Sequence, residues 1–384
     1  MPFYQNKGDT PLKRHIVFKH NNNICYEELV SREGFSSMYS NLYHINKPTS
    51  IKNIGSMDSL ILENVNKKHQ VQHLKTFELN KEDDAIKSRI PLFYNSDIVI
   101  SIAHVNKKMD YFYRNGHYDE LLYVQYGKGV LSTSYGDLCF KDGDYIVIPR
   151  GVIWQLNIDE KTKILVVESS DPVETPAKYR NKFGQLLEGS PYCERDITTP
   201  TLKEPINEKG DFLLKVKLNN GIQNYIYQYH PFDVVGWSGY YFPWTFNINN
   251  FEPIVGLIHQ PPPVHQTFST KSFVVCSFVP RLFDFHKDSI PAPYPHSNVD
   301  SDEFIFYSKG DFMSRKGIGK ESITYHPMGL PHGPQPGKYK GSIGKKMTNE
   351  LAVMIDTFSP LKMTKDALSI QDEKYPLSWL SPNE

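Results

Sequence analysis

Two histidines and a glutamate, His296, Glu303 and His332, are the residues whose types and spacing best suit a metal ion. Two imidazole nitrogens and a carboxylate oxygen cover one face of an ion and leave the opposite face open, as iron(II) requires in non-haem oxygenases. Zinc accepts the same donors, so the set alone leaves the metal open. Asn298 stands where a His-x-His pair would supply a further ligand. Three protein ligands therefore remain, which suits a centre that must take a chelating substrate and dioxygen together. A lone histidine reads more readily as a hydrogen-bonded side chain than as a ligand. What argues for a metal is the place of all three in a repeated pattern.

The pattern occurs twice. Glu120 and Gly127 enclose six residues, and Gly143 leads to Pro149, Gly151 and Trp154; Glu303 and Gly310 enclose six, and Gly319 leads to Pro327, Gly329 and His332. Glu-x6-Gly followed by Pro-x-Gly-x2-His resembles the paired motif of the cupins. That resemblance implies a double-stranded β-helix, or jelly roll, whose neighbouring strands turn side chains inward at one end of a barrel. In the first copy His117 precedes Glu120, but Trp154 replaces the closing histidine. An indole N–H is a donor and cannot ligate a metal. The first copy therefore reads as structural and the second as the working one. The expected fold is mainly β, two tandem cupin units with an N-terminal extension. Residues 1–205 would hold the extension and the metal-free cupin, and 206–384 the iron-binding cupin with a C-terminal tail.

The elements that must position these residues are short strands closed by turns. Asp97–Val105, Glu120–Tyr126, Val130–Tyr135, Tyr145–Pro149 and Lys163–Glu168 form the first series. Phe212–Leu218, Tyr225–Tyr229, Val255–His259, Ser272–Val279, Phe304–Ser308, Ser322–Tyr325 and Leu351–Thr357 form the second. Gly, Asn and Asp turns between such runs are the signature of a sandwich or barrel. A proline-bearing linker spans Asp171 to about Lys209, and one short helix is expected around Lys365–Glu373. The first ninety residues carry no firm assignment.

At 384 residues the chain is long enough for two β-rich units. Lys+Arg and Asp+Glu both number 43, so nothing suggests a nucleic-acid track or an anionic membrane surface. No apolar run approaches the length of a bilayer span. Met1–Lys13 lacks the apolar stretch of a secretory signal. Cys25, Cys139, Cys193 and Cys276 lack C-x-x-C spacing and read as reduced thiols of a cytoplasmic protein.

Pro231–Trp237 (PFDVVGW), Pro280–Arg281, Pro293-Tyr-Pro-His296-Ser-Asn298 and Pro331-His-Gly-Pro334 follow one another as in the homogentisate 1,2-dioxygenases, which the chain resembles best from Phe212 to Asp356. Ser297 after the first histidine, and Phe312 in place of a family tyrosine, set it in a divergent branch. The resemblance implies Fe(II), dioxygen and a small aromatic acid as reactants. The reaction would open the homogentisate ring to maleylacetoacetate in tyrosine and phenylalanine breakdown. It also implies a homo-oligomer, trimer or hexamer.

Within that reading, His265 or His259 is the base for a ring hydroxyl. His265 is favoured because Pro261–Pro263 stiffen its approach. Asn298, on the same side as His296 by strand alternation, would bond a substrate hydroxyl or simply form a turn. Tyr294 and Arg281 would hold substrate, Arg281 through a carboxylate, or serve the structure. His326 would orient a ligand by hydrogen bonding, with His259 as the further candidate for that role. Two other readings compete: a cupin dioxygenase for a gentisate-like substrate, and a metal-binding bicupin without oxygenase activity.

Overall fold

The computed structural model describes residues 3–312 and 314–380. It is built almost entirely of antiparallel strands. A nine-stranded sheet runs 197–198, 244–247, 144–148, 119–126, 162–169, 98–105, 90–94 and 362–363, with 82–83 beside 98–105. A seven-stranded sheet (136–140, 129–133, 154–158, 112–115, 209–218, 221–229, 51–59) closes the first barrel against it. A six-stranded sheet (266–269, 273–278, 351–357, 302–309, 322–326, 72–75) forms the second unit.

Strand Asp119–Tyr126 shows how the two units share a core. Its residues alternate: Glu120 faces into the first barrel, while the Tyr123 hydroxyl donates to Ser308 Oγ of the six-stranded sheet at 2.8 Å. Tyr145 reaches Ser277 in the same way at 2.9 Å. Strands covered on both faces need apolar residues throughout, which is why Tyr145–Ile148 and Ile164–Val167 read as unbroken apolar runs. One contiguous cluster of buried side chains joins both units.

The Glu-x6-Gly glycines have a local cause. Gly127 and Gly310 have φ of +106° and +95°, and a Cβ would lie 2.2 Å from Thr162 Oγ1 in one case and 2.2 Å from the Asn349 carbonyl in the other. Each strand can turn back tightly only at glycine.

Most expected strands are present within a few residues, and Leu351–Thr357 is matched residue for residue. The expected strand Val255–His259 is instead an irregular loop. Leu257 and Ile258 are exposed, the prolines at 261–263 offer no N–H groups, and the loop's carbonyls at 256 and 257 accept from Phe285 and His286 rather than from a sheet. The chain also crosses between units. Lys209–Leu218 runs parallel to Phe112–Asn115, and Val234–Gly239 joins Gln5–Gly8, Tyr39–His44 and Tyr26–Ser31 in a four-stranded sheet. Strands that follow residue 205 thus lie in the sheets of the first unit. The PFDVVGW segment owes its tryptophan to that sheet: Trp237 is fully buried and donates to the Tyr135 carbonyl at 2.9 Å. Among the described residues, no helix is long and apolar enough to cross a membrane.

Candidate metal centre

His296 is held by the loop that leads into the Glu303 strand (Asp302–Lys309), and His332 by the loop that leaves the neighbouring strand Ser322–His326. Each accepts and donates one backbone hydrogen bond with the other, at 2.8 and 2.9 Å. The pairing brings the rings to 4.4 Å between centroids. Gly333 makes the close approach possible, because a Cβ there would lie 2.8 Å from the Pro295 Cα. Ligand atoms of His296, Glu303 and His332 all lie within 4.8 Å of one another.

The protons of these rings decide what the group can hold. His296 Nδ1 lies 3.1 Å from the Tyr294 carbonyl, and His332 Nδ1 lies 3.2 Å from the Leu330 carbonyl. A carbonyl can only accept, so each Nδ1 carries a hydrogen, and in the neutral ring that a metal would select each Nε2 presents a lone pair. Those nitrogens stand 3.8 and 3.6 Å from the two oxygens of Glu303. His332 Nε2 is buried with no hydrogen-bond partner. Lone pairs converging without hydrogens between them are what a divalent cation demands of its ligands. The residues fit a metal.

A third imidazole supports them. His326, on strand Ser322–His326, is fully buried, donates from Nδ1 to Glu303 Oε1 at 2.6 Å and stacks on His332 at 4.4 Å and 7°. Burial first, offset in part by Glu303, brings its pKa down to about 4, so the ring is neutral and fixes the carboxylate by its N–H. Burial alone would raise the Glu303 carboxyl, but His296, His326 and His332 outweigh it and hold it well below the usual range. It is a carboxylate, ready for a cation.

Above the centre lies a cavity of about 250 Å³ whose wall includes His296 and Glu303. Its apolar lining includes Phe278, Ile305, Phe312, Ala352 and Met354. Its polar lining includes His259, His265, Arg281, Asn298, Arg315, Glu350 and Asp356. His265 is buried, packs on Phe278 at 4.8 Å and has Nδ1 without a partner. Burial, then the positive charge of Arg281, brings its pKa down to about 3, so the imidazole is neutral. His259 stays half-exposed at the mouth, 3.5 Å from Asp284. Asn298 lines the wall, and its carbonyl accepts from Gly329 at 2.7 Å.

Two expected substrate contacts sit differently in the structure. Arg281 is paired with Glu350 at 3.0 Å and donates to the Val279 carbonyl at 3.0 Å, so its charge is already balanced. Tyr294 is 52% exposed and contributes its carbonyl to His296 rather than its phenol to the cavity. Two residues absent from the sequence reading stand in the wall beside Arg281. Asp356 is the cross-strand partner of Glu303, with Oδ1 unpartnered; burial and the Glu303 charge push its pKa up to about 8. Arg315 is the second. A lone acid inside the apolar strand Leu351–Thr357 was a visible signal for Asp356; Arg315, in a loop, offered none.

The matching place in the first barrel is filled. Arg89 Nη1 lies 2.6 Å from Glu120 Oε1 and 3.5 Å from Glu168 Oε1; Trp154 Nε1 and Tyr113 Oη donate to Glu120, each at 3.2 Å. Asn115 and Lys217 complete the bonds to Glu168. His117 is exposed and accepts from the Asn219 N–H instead. A guanidinium thus meets the carboxylate whose counterpart in the second unit, Glu303, faces the two candidate ligands His296 and His332.

Residues 85–248 match the family model of the homogentisate 1,2-dioxygenase N-terminal region, further upstream than the reading from Phe212 expected. A Saccharolobus solfataricus protein described as a putative dioxygenase is 42% identical over 383 residues, 99% of each chain. Homogentisate 1,2-dioxygenases of Drosophila melanogaster and Mus musculus are 25% and 26% identical, over 70% and 74% of this chain but only 64% and 67% of their own length. Among solved structures, a cupin 2 conserved barrel protein from Leptotrichia buccalis aligns over 76% of this chain and 99% of its own at 10% identity and a TM-score of 0.35. Through its full-length relative from Saccharolobus solfataricus the chain belongs to a family of dioxygenase-like enzymes that is similar to the homogentisate 1,2-dioxygenases.

Proposed function

We propose that this protein is an iron(II) dioxygenase that opens the ring of homogentisate to give maleylacetoacetate. The observation that carries the reading is the convergence of His296, Glu303 and His332 at the base of a half-apolar cavity. Iron(II) held by these three would supply Lewis-acid polarisation of a ring hydroxyl and a binding position for dioxygen.

The rest falls to side chains of this chain. Phe278, Ile305 and Met354 offer an apolar face to an aromatic ring and keep water from it. His326 keeps the Glu303 carboxylate in place through its N–H. His265 is neutral with a free Nδ1 in the wall, so it can take the proton of a ring hydroxyl. A phenolate forming beside it would raise its pKa from the low value that burial imposes. His265→Asn places an amide near the Nδ1 position but accepts no proton. We expect kcat to fall about a hundredfold with substrate Kd changed only a few-fold, measured by steady-state oxygen uptake and anaerobic titration. An equal loss in Kd would make His265 a binding group instead.

The function itself is tested by oxygen uptake on adding homogentisate to protein loaded anaerobically with iron(II), with product absorbance followed alongside. Stoichiometric uptake with a new enol absorbance is expected. Uptake with gentisate but not homogentisate would keep the centre and move the substrate. Silence with every dihydroxy aromatic acid, metal bound, would overturn the reading.

A further inference from the structure

We infer that Arg315 is the anchor for the carboxylate of the bound substrate, an assignment that rests on the aromatic-acid reading above. The case begins with charge. Arg315 is 6% exposed and its guanidinium is permanently charged. A buried cation is costly unless an anion meets it. The other buried arginine among the described residues shows that rule at work, since Arg89 meets Glu120, and the half-buried Arg32 likewise meets Asp119. Arg281, in the same wall, meets Glu350. Among the described residues Arg315 has no such pair, and its Nε has no hydrogen-bond partner.

What Arg315 does touch fixes where it points. Nη1 donates to the Gly333 carbonyl at 2.6 Å, the phenol oxygens of Tyr307 and Tyr375 accept from the guanidinium as neutral partners, and its carbon lies 5.8 Å from the centre of the Trp379 ring. Gly333 follows the ligand His332 directly, so the charge sits one residue from the metal centre and faces the same cavity. A ring whose side-chain carboxylate met Arg315 would lie against Ile305 and Phe312 with its hydroxyl edge toward Glu303. The planar fork of arginine accepts a carboxylate through two N–H groups, which adds direction to charge. The selectivity that follows is for ring compounds carrying an anion, over esters or plain hydroquinones.

The test compares an acid with its neutral ester on iron(II)-loaded protein without oxygen. Phenylacetate and methyl phenylacetate serve as ligands that cannot turn over, and competition with homogentisate binding gives both constants. Wild-type protein is expected to prefer the acid at least tenfold, and Arg315→Gln to lose roughly a hundredfold in acid affinity relative to the ester. Because Arg315 also holds Gly333, iron content is measured on the variant, and Arg315→Lys, which keeps the charge and loses the fork, is expected to fall between the two. No acid preference in the wild type would overturn the anchor without recourse to any variant. An unchanged acid-to-ester ratio in Arg315→Gln would also overturn it. Acid preference without oxygen uptake would leave the anchor standing and sink the ring-opening reading; uptake without acid preference would do the reverse.

Discussion

His332→Ala is expected to fold, to bind no stoichiometric iron(II), and to lose oxygen uptake with homogentisate by roughly a thousandfold or more. The fold should survive because His332 Nε2 bonds to nothing in the protein and the side chain's one hydrogen bond, from Nδ1 to the half-buried Leu330 carbonyl, is long at 3.2 Å and can pass to water. The reciprocal backbone bonds to His296 do not involve the side chain and remain. Two ligands cannot keep the metal against water, since one face of donors is reduced to an edge. Metal analysis, a thermal melt and an oxygen electrode separate these outcomes. A variant that kept both iron and uptake would show the ligand set to be wrong. His326→Gln makes the contrast: it weakens the hold on Glu303 without removing a ligand, and metal affinity should drop by about 10- to 100-fold.

Arg89→Met is expected to cost about 3 to 5 kcal/mol of stability while leaving the iron content of the folded protein unchanged. Glu120 and Glu168 are fully buried, and Arg89 and Lys217 are the two cations that balance them. Burial pushes the Glu168 carboxyl up, but Lys217 and Arg89 hold it below the usual range. Without the guanidinium, Glu120 keeps only the neutral donors Trp154, Tyr113 and Asn115. The stranded carboxylate must then be protonated or hydrated. Adding Glu120→Gln should recover most of the loss, since neighbouring groups in one network do not act additively. Urea midpoints of the two single variants and the double variant give the coupling. Additive losses would mean that the pair is not the source.

Much of this was legible in the sequence because the chemistry sits on a repeated motif. Strand alternation and two tight glycine turns place Glu120 and Glu303 alike, so Trp154 against His332 told the two copies apart before any coordinates. The contacts that depend on distant pairing were not legible. Arg281 could be read as a substrate contact or as structural until strand Arg281–Leu282 lay beside Met347–Thr348, bringing Glu350 to it. Arg89, far before its motif, gave no hint that it would reach Glu120. The N-terminal strand Ile51–Ser59 is exposed along its length and so carries no apolar alternation to read. The apolar run at 255–259 misled for the opposite reason, because Leu257 and Ile258 lie exposed on a loop rather than in a core.

Strand Gln72–Lys75, from the N-terminal region, completes the six-stranded sheet beside Ser322–His326, while Lys362–Met363, near the far end of the chain, pairs with Ile90–Tyr94 in the first unit. Each half thus holds the other by a borrowed arm. Expressing either half alone would leave an open sheet edge where that arm belongs, inviting aggregation rather than a small working barrel. Inheritance follows the same constraint: the copy without the candidate metal ligands cannot be discarded, because the sheet of the other copy is completed by the chain that leads into it.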